Sequence, residues 1–315
     1  MKRTLVLYES KYGFTKMLAE YISLILGAAT CLRLSELDNQ YHDYDFIVLC
    51  APVYCEKLDE NAVNCITKNA DWIKQKKVVV LCSCLAINYK IQYLKPLLEV
   101  LENNIAFSAT VAGELIIEKL DESDYNLIKE LSENTNFECK DYKLFDKVKF
   151  IDLVLYIKGL RDQEGKKIEE NRLLQICQDF IRRHNTCTLA TGYGTRVRAT
   201  PGEYIFMNGF IYLLSEGGEK YANLLLNPNV SIGISNPYRN MNQVSSVQIT
   251  GTAEFIREDS DEYRAVLVQK NQRNARGRMP LVTGNLLRVQ INKVELQWSE
   301  TRETGFDSRQ ILYNG

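Results

Sequence analysis

At 315 residues, and with roughly 100 to 200 residues per domain, the chain is expected to form about two domains, each able to bury its own core. With 45% hydrophobic and 25% charged residues and a formal charge of -1, it reads as globular, with no general attraction to nucleic acid or anionic membranes. No apolar run approaches the roughly 20 residues that span a bilayer, and "MKRTLVLYESKYG" has too short an apolar core for a signal peptide, so a cytoplasmic location is expected.

In chain order, residues 3–9 (RTLVLYE) form a β-rich run, and Phe14, Met17, Leu18, Tyr21, Ile22 and Ile25 recur at helical spacing over 14–26. Strands are predicted at 30–34, 45–51, 77–83 and 105–112, and helices at 59–69, 91–101 and 145–158. Continuous apolar strands separated by helices predict a parallel sheet covered on both faces, an α/β doubly wound domain. The most polar connector, "KGLRDQEGKKIEEN", places the boundary near residue 163, which gives domains at 1–160 and 161–315.

The second half opens with a helix over 168–183. It continues through "CTLAT", "RVRATPGEYIFM", "FIYLLS", "VSIGIS", "SSVQITGTAEFI", "LLRVQIN" and "KVELQWS", with helices near 217–226 and 259–271. Short strands punctuated by Gly, Asn and Pro predict an antiparallel barrel or sandwich. The nine cysteines include no CxxC pair and mostly sit in apolar runs, as reduced core residues do. Cys82 and Cys84 leave a redox or metal pair as the alternative, but with only His42 and His184 to add, no metal site is expected.

"ESKYGFT" (9–15) lies where the first strand meets the first helix. Ligands of doubly wound sheets sit at the C-terminal strand ends, and a helix N-terminus favours phosphate. Gly13 lets the backbone approach, Ser10 and Thr15 offer hydroxyls, and the lysine of GxxxxGK[ST] is missing, which suits a monoester held by neutral donors. The loops "APVYCEKLDEN" and "SCLAINYK" should converge on the same crevice. Pro52 and Tyr54 in a rigid turn, with Asn88 and Tyr89, would sandwich a flat heterocycle, unless the two tyrosines only cap the sheet.

"ESKYGFTKMLAEYI", "DYDFIVLCAPVYCEKLDENAVNCITKN" and "VVVLCSCLA" resemble the flavodoxin superfamily over about residues 1–158, in particular the branch containing the menaquinone-dependent protoporphyrinogen oxidase. Ser10, Gly13 and Thr15 match the phosphate loop T/S-x-T-G-x-T, while Tyr12 replaces its middle threonine. The resemblance implies FMN, held by Ser10, Lys11, Tyr12, Gly13, Phe14 and Thr15. Pro52, Val53, Tyr54, Asn88 and Tyr89 would flank its ring.

In the second half, Arg196 and Arg198 lie on one strand, and "SEGGEKYANLL" starts a helix at a glycine pair with Lys220 in its first turns, a charged phosphate clamp. The alternative is that the arginines are simply solvated. "TCTLAT…RVRATP…FIYLLSEGGEKYANLLLNPNVSIGI…VQITGTAEFI" resembles the FMN-binding split barrels of the pyridoxamine 5'-phosphate oxidase superfamily over about 168–300. That resemblance implies a second FMN at Arg198, Ser215, Lys220 and Ser246, and a homodimer through the split barrel. "LQWSETRETGFDS" lacks the Arg-x-His pair for pyridoxal phosphate, which argues against pyridoxamine phosphate as substrate. Some relatives bind haem or a deazaflavin; His184, beside Arg182 and Arg183, reads as a surface residue at a helix end and gives axial haem ligation little support.

The leading expectation is a flavin-dependent oxidoreductase with one FMN per domain, passing electrons from a flavodoxin-like site to the barrel flavin and a small, quinone or tetrapyrrole substrate. NAD(P)H or a redox protein would be the donor, and no catalytic residue is assigned, since the chemistry would be the flavin's. The alternative is a non-catalytic electron carrier or flavin- or tetrapyrrole-binding protein.

Overall fold

The computed structural model describes residues 3–85, 90–101, 104–273 and 284–313. The chain forms two compact units, Met1–Gly165 and Lys166–Gly315. The first runs through β1 (Thr4–Tyr8), α1 (Phe14–Leu26), β2 (Ala29–Arg33), β3 (Phe46–Tyr54), β4 (Lys57–Leu58), α2 (Glu60–Lys68), α3 (Ala70–Ile73) and β5 (Lys77–Cys84). It ends with α4 (Lys90–Leu101), β6 (Ile105–Ala112), β7 (Glu114–Leu115), α5 (Glu122–Asn134), β8 (Tyr142–Lys143) and α6 (Lys147–Gln163).

The parallel strands lie in the order β2-β1-β3-β5-β6, so strand order reverses between β1 and β3. Side chains alternate across a strand, and the sheet divides its apolar residues accordingly. Leu5, Leu7, Ile47, Leu49, Val78 and Val80 join Ala62, Ile66, Leu94 and Leu97 of α2 and α4, while Val6, Val48, Val79 and Leu81 join Leu18, Ile22, Val154 and Ile157 of α1 and α6.

Three expectations change here. Pro52 does not sit in a turn: β3 continues to Tyr54, and the reversal is made by Cys55 and Glu56, at φ 47 and 61, so that Val53 and Tyr54 pair with Leu58 and Lys57. That two-residue hairpin needs both central residues at positive φ, a requirement usually met by Asn-Gly, so the sequence carried no signal for it. Between β6 and α6, residues 113–146 form an unexpected excursion of β7, α5 and β8, in which Asp121 caps α5 by accepting the Asp124 N–H. The helix α6 runs on to Gln163 because its last turn is anchored: buried Arg161 donates through Nη1 to the carbonyls of Leu26 and Gly27 at the end of α1.

The second unit comprises α7 (Glu170–Arg183), β9 (Thr186–Tyr193), β10 (Arg196–Glu203), β11 (Ile205–Met207), β12 (Phe210–Ser215) and α8 (Glu219–Leu224). It continues through β13 (Asn229–Ser235), β14 (Ser245–Ile256), α9 (Asp261–Arg273), β15 (Asn285–Trp298) and β16 (Arg309–Tyr313). These strands form one antiparallel half-barrel sheet, β10-β9-β13-β14-β15-β12-β11, with β16 on β15. "LLRVQIN" and "KVELQWS" are one strand, β15, because β14 pairs along its whole length. The ladder shifts register at Thr250/Gly251, where an added Cβ would stand 2.4 Å from the Gln290 carbonyl oxygen, so only glycine admits this approach. Among the described residues no helix is long and apolar enough to cross a membrane.

Candidate functional site

The C-terminal ends of β1, β3 and β5 meet where strand order reverses, and a cavity of about 140 Å³ opens there. Tyr12, Phe14 and Thr15 line it from the loop and first turn after β1, Pro52, Val53 and Tyr54 from β3, and Ser83 and Cys84 from β5. Cys55 and Leu85 add to these, and the excursion supplies a further wall that includes Glu114, Leu115, Leu120, Asp124 and Ile128.

The loop is held by its own bonds. The Ser10 N–H donates to Glu9 Oε1 (3.0 Å), and Arg33 Nε holds the same oxygen at 2.8 Å. The Lys11 N–H donates to the Tyr54 hydroxyl (3.0 Å), and the Gly13 N–H to Ser10 Oγ (3.0 Å). Gly13 adopts φ 88, a conformation other L-residues rarely take, and turns the chain into α1.

No side chain caps α1, so its N-terminal amides and the positive end of its dipole are left for an anion. One turn in, Thr15 is buried with Oγ1 2.8 Å from Ser83 Oγ. Neutral hydroxyls, open helix amides and the edge-on rings of Tyr12 and Tyr54 (centroids 6.0 Å apart) are a donor set that fits FMN. Asn88 and Tyr89 lie outside the described residues.

Sequence reasoning missed Ser83 and the whole excursion wall. The excursion had a readable signal in "LDESDYNLIKEL", an Asp N-cap before apolar residues at helical spacing; Ser83 heads the crevice loop "SCLAINYK" but also closes a buried strand run, and was not singled out as a site residue. Two loop residues face this wall: Lys11 Nζ lies 2.7 Å from Asp121 Oδ2 and 2.8 Å from Asp124 Oδ2, and the Tyr12 hydroxyl donates to Asp124. The paired carboxylates, Asp121 first, raise the Lys11 ammonium above the ordinary lysine range.

In the second unit the structure brings Arg198, Ser215 and Lys220 to one end of the sheet. Lys220 is buried, its Nζ donating to the Gly217 carbonyl (2.5 Å), while Arg198 Nη1 lies 3.1 Å from Glu219 Oε2. Burial, and then the Arg198 charge, push the Lys220 ammonium below the ordinary lysine range, a cost that an incoming phosphate would offset. Ser215 ends β12, and its carbonyl accepts the Tyr221 hydroxyl (3.1 Å). The Asn223 amide donates to Thr191 Oγ1 (3.2 Å) and fixes α8 to β9.

Ser246 is not brought to this group. It pairs with Ser235 and Gln297 at one end of β14, whereas Ser215 pairs with Asn285 beside the other end, roughly 30 Å along the strand at ~3.3 Å per residue. His184, at the end of α7, has Nδ1 2.7 Å from the Phe180 carbonyl and Nε2 2.8 Å from Asn236 Oδ1. Cys82 and Cys84 are buried on one face of β5, and a hydrogen bond between them lowers the Cys84 thiol from its ordinary value against the effect of burial. Among the described residues no group of three or more His, Cys, Asp or Glu is placed to hold a metal ion.

Comparison with known proteins matches residues 5–140 to the flavodoxin domain model and residues 173–298 to the pyridoxamine 5'-phosphate oxidase model. Among curated proteins there is no match. Solved structures similar to part of the chain include HutZ, the heme storage protein from Vibrio cholerae, at 20% identity over 37% of this chain and 88% of that chain, with a TM-score of 0.33. They also include Campylobacter jejuni ChuZ (14%, 56% and 74%, TM-score 0.39) and an FAD-binding protein from Mesorhizobium loti (18%, 38% and 89%, TM-score 0.32). The chain therefore carries a flavodoxin domain over 5–140 and a pyridoxamine 5'-phosphate oxidase domain over 173–298, and domains of both kinds generally bind flavin.

Proposed function

We propose that this protein is an FMN-dependent oxidoreductase with one flavin per domain, in which a flavodoxin-like site exchanges electrons with a split-barrel site that acts on a small substrate. The observation that carries the reading is the cavity at the strand-order reversal, where the uncapped start of α1 and the buried Thr15–Ser83 hydroxyl pair meet. FMN, when bound, would supply the electron or hydride transfer.

The chain's own part would be positioning. Ser10, Thr15 and the first-turn amides of α1 would hold one phosphate, Tyr54 and Val53 would border the ring, and Leu115 of β7 would wall the cavity beside them. In the second domain Arg198 and Lys220 would hold the other phosphate as charged donors. Ser246 would reach such a site from a second copy, and the exposed Tyr193, Val197, Leu225 and Leu226 offer apolar surface for it, which supports a homodimer through the barrel.

FMN stoichiometry tests the reading. Two per chain are expected, with one lost in Lys220→Ala or Arg198→Ala and the other in a Ser10→Ala/Thr15→Val double variant. If the flavin content is unchanged in the Lys220 and Arg198 variants, the second site is refuted. An anaerobic screen of NAD(P)H with quinone, nitro-compound and tetrapyrrole acceptors names the substrate class; bleaching by a protein reductase alone marks an electron carrier instead.

A further inference from the structure

The excursion over residues 113–146 closes the cavity without belonging to the doubly wound sheet, and its helix is thinly anchored. No residue of α5 is buried, and Tyr125 and Leu127 stand exposed. The base of the excursion is firm: the Gly113 N–H donates to the Cys84 carbonyl (2.9 Å), the Leu144 N–H to the Gly113 carbonyl (3.2 Å), and Phe145 meets Phe14 edge-on at 5.3 Å.

The start of α5, by contrast, is fastened to the phosphate loop by polar groups. Lys11 Nζ reaches Asp121 and Asp124, the Tyr12 hydroxyl donates to Asp124, and the Asp121 N–H lies 3.4 Å from the same hydroxyl. Asp124 also lines the cavity, alongside Thr15 and Ser83. A carboxylate thus occupies two donors of the loop, Lys11 at a position the flavodoxin pattern leaves open and Tyr12 where it has threonine.

We propose that α5 is a lid latched by Asp124, whose carboxylate competes with the ligand's phosphate for Lys11 and Tyr12, so that phosphate binding releases α5 from the loop. This rests on the reading that the loop holds a phosphate. Segments with few buried contacts open at low cost, which is why the release falls on α5 rather than on α1 or β1. A phosphate dianion brought beside Asp124 meets like charge, and moving α5 removes that repulsion while freeing two donors. A ligand without phosphate gains nothing from the exchange.

The test compares the full-length wild type with Asp124→Asn, each also in a Lys220→Ala background that leaves only the first domain's site to titrate, using FMN and riboflavin as probes and hydrogen–deuterium exchange across 117–134 as the second readout. Asp124→Asn is expected to tighten FMN about tenfold while leaving riboflavin unchanged, as loss of a charged competitor requires. Exchange across 117–134 should rise in Asp124→Asn without ligand, and in the wild type on adding FMN. Weaker or unchanged FMN binding in Asp124→Asn, or FMN that protects α5, overturns the proposal, because Asp124 would then help to hold the ligand. If no variant binds FMN, the phosphate-site reading fails and the competition with it; the latch is judged separately by ligand-free exchange, and no rise in Asp124→Asn refutes it.

Discussion

Thr15 Oγ1 and Ser83 Oγ lie 2.8 Å apart in the buried floor of the cavity and join the first turn of α1 to the end of β5. Replacing Thr15 by Val keeps the shape and strands the Ser83 hydroxyl. Urea unfolding should show a loss of about 1–3 kcal/mol, the cost of a buried donor left without its partner. Under the proposed function, FMN affinity falls as well; unchanged stability would mean that the pair is not closed in solution.

Arg161 is buried and serves the carbonyls of Leu26 and Gly27 at the end of α1, with its Nε 2.9 Å from Asp162 Oδ1. Arg161→Met leaves those carbonyls and the carboxylate without the guanidinium. The first unit should lose about 3 kcal/mol by urea unfolding, as when one partner of a buried pair is removed. Arg161→Lys should recover part of it, since an ammonium keeps the charge but not the forked geometry.

Gly251 stands where β14 shifts register against β15, and an added Cβ would meet the Gln290 carbonyl oxygen at 2.4 Å and Val289 Cγ1 at 2.7 Å. Backbone cannot yield as a flexible side chain does. Gly251→Ala should therefore destabilise the second unit by about 1–3 kcal/mol, the range for overpacking, with a lower melting temperature for that unit. A melt equal to the wild type would show that the bulge relaxes freely.

Lys220 carries the pH prediction. Its ammonium is the form that would hold a phosphate, and burial together with Arg198 lowers the pH at which the proton leaves. Binding is then complete below that lowered value and declines above it, beginning at lower pH than for an ordinary lysine. The FMN that Lys220→Ala removes should be released over this window in a fluorescence titration, and Lys220→Arg should move the release upward. A pH-independent affinity in the wild type would take Lys220 out of the site.

Both architectures were legible in the sequence because their periodicities are strong. The continuous apolar runs of β1, β3 and β5 read as a covered parallel sheet, and helical spacing placed α1 over Phe14–Leu26. "ESKYGFT" marked the loop, since glycine and hydroxyls before a helix carry a local physical meaning. Tertiary structure alone decided what the loop's odd residues do. Tyr12 and Lys11 meet carboxylates more than a hundred positions away, Ser83 at the head of its loop becomes the partner of Thr15, and Ser246 is carried to the far end of β14 from Ser215. Local pattern records which face of an element is apolar; which polar groups meet across the chain depends on strand order and on the path of the excursion, and neither has a local signature.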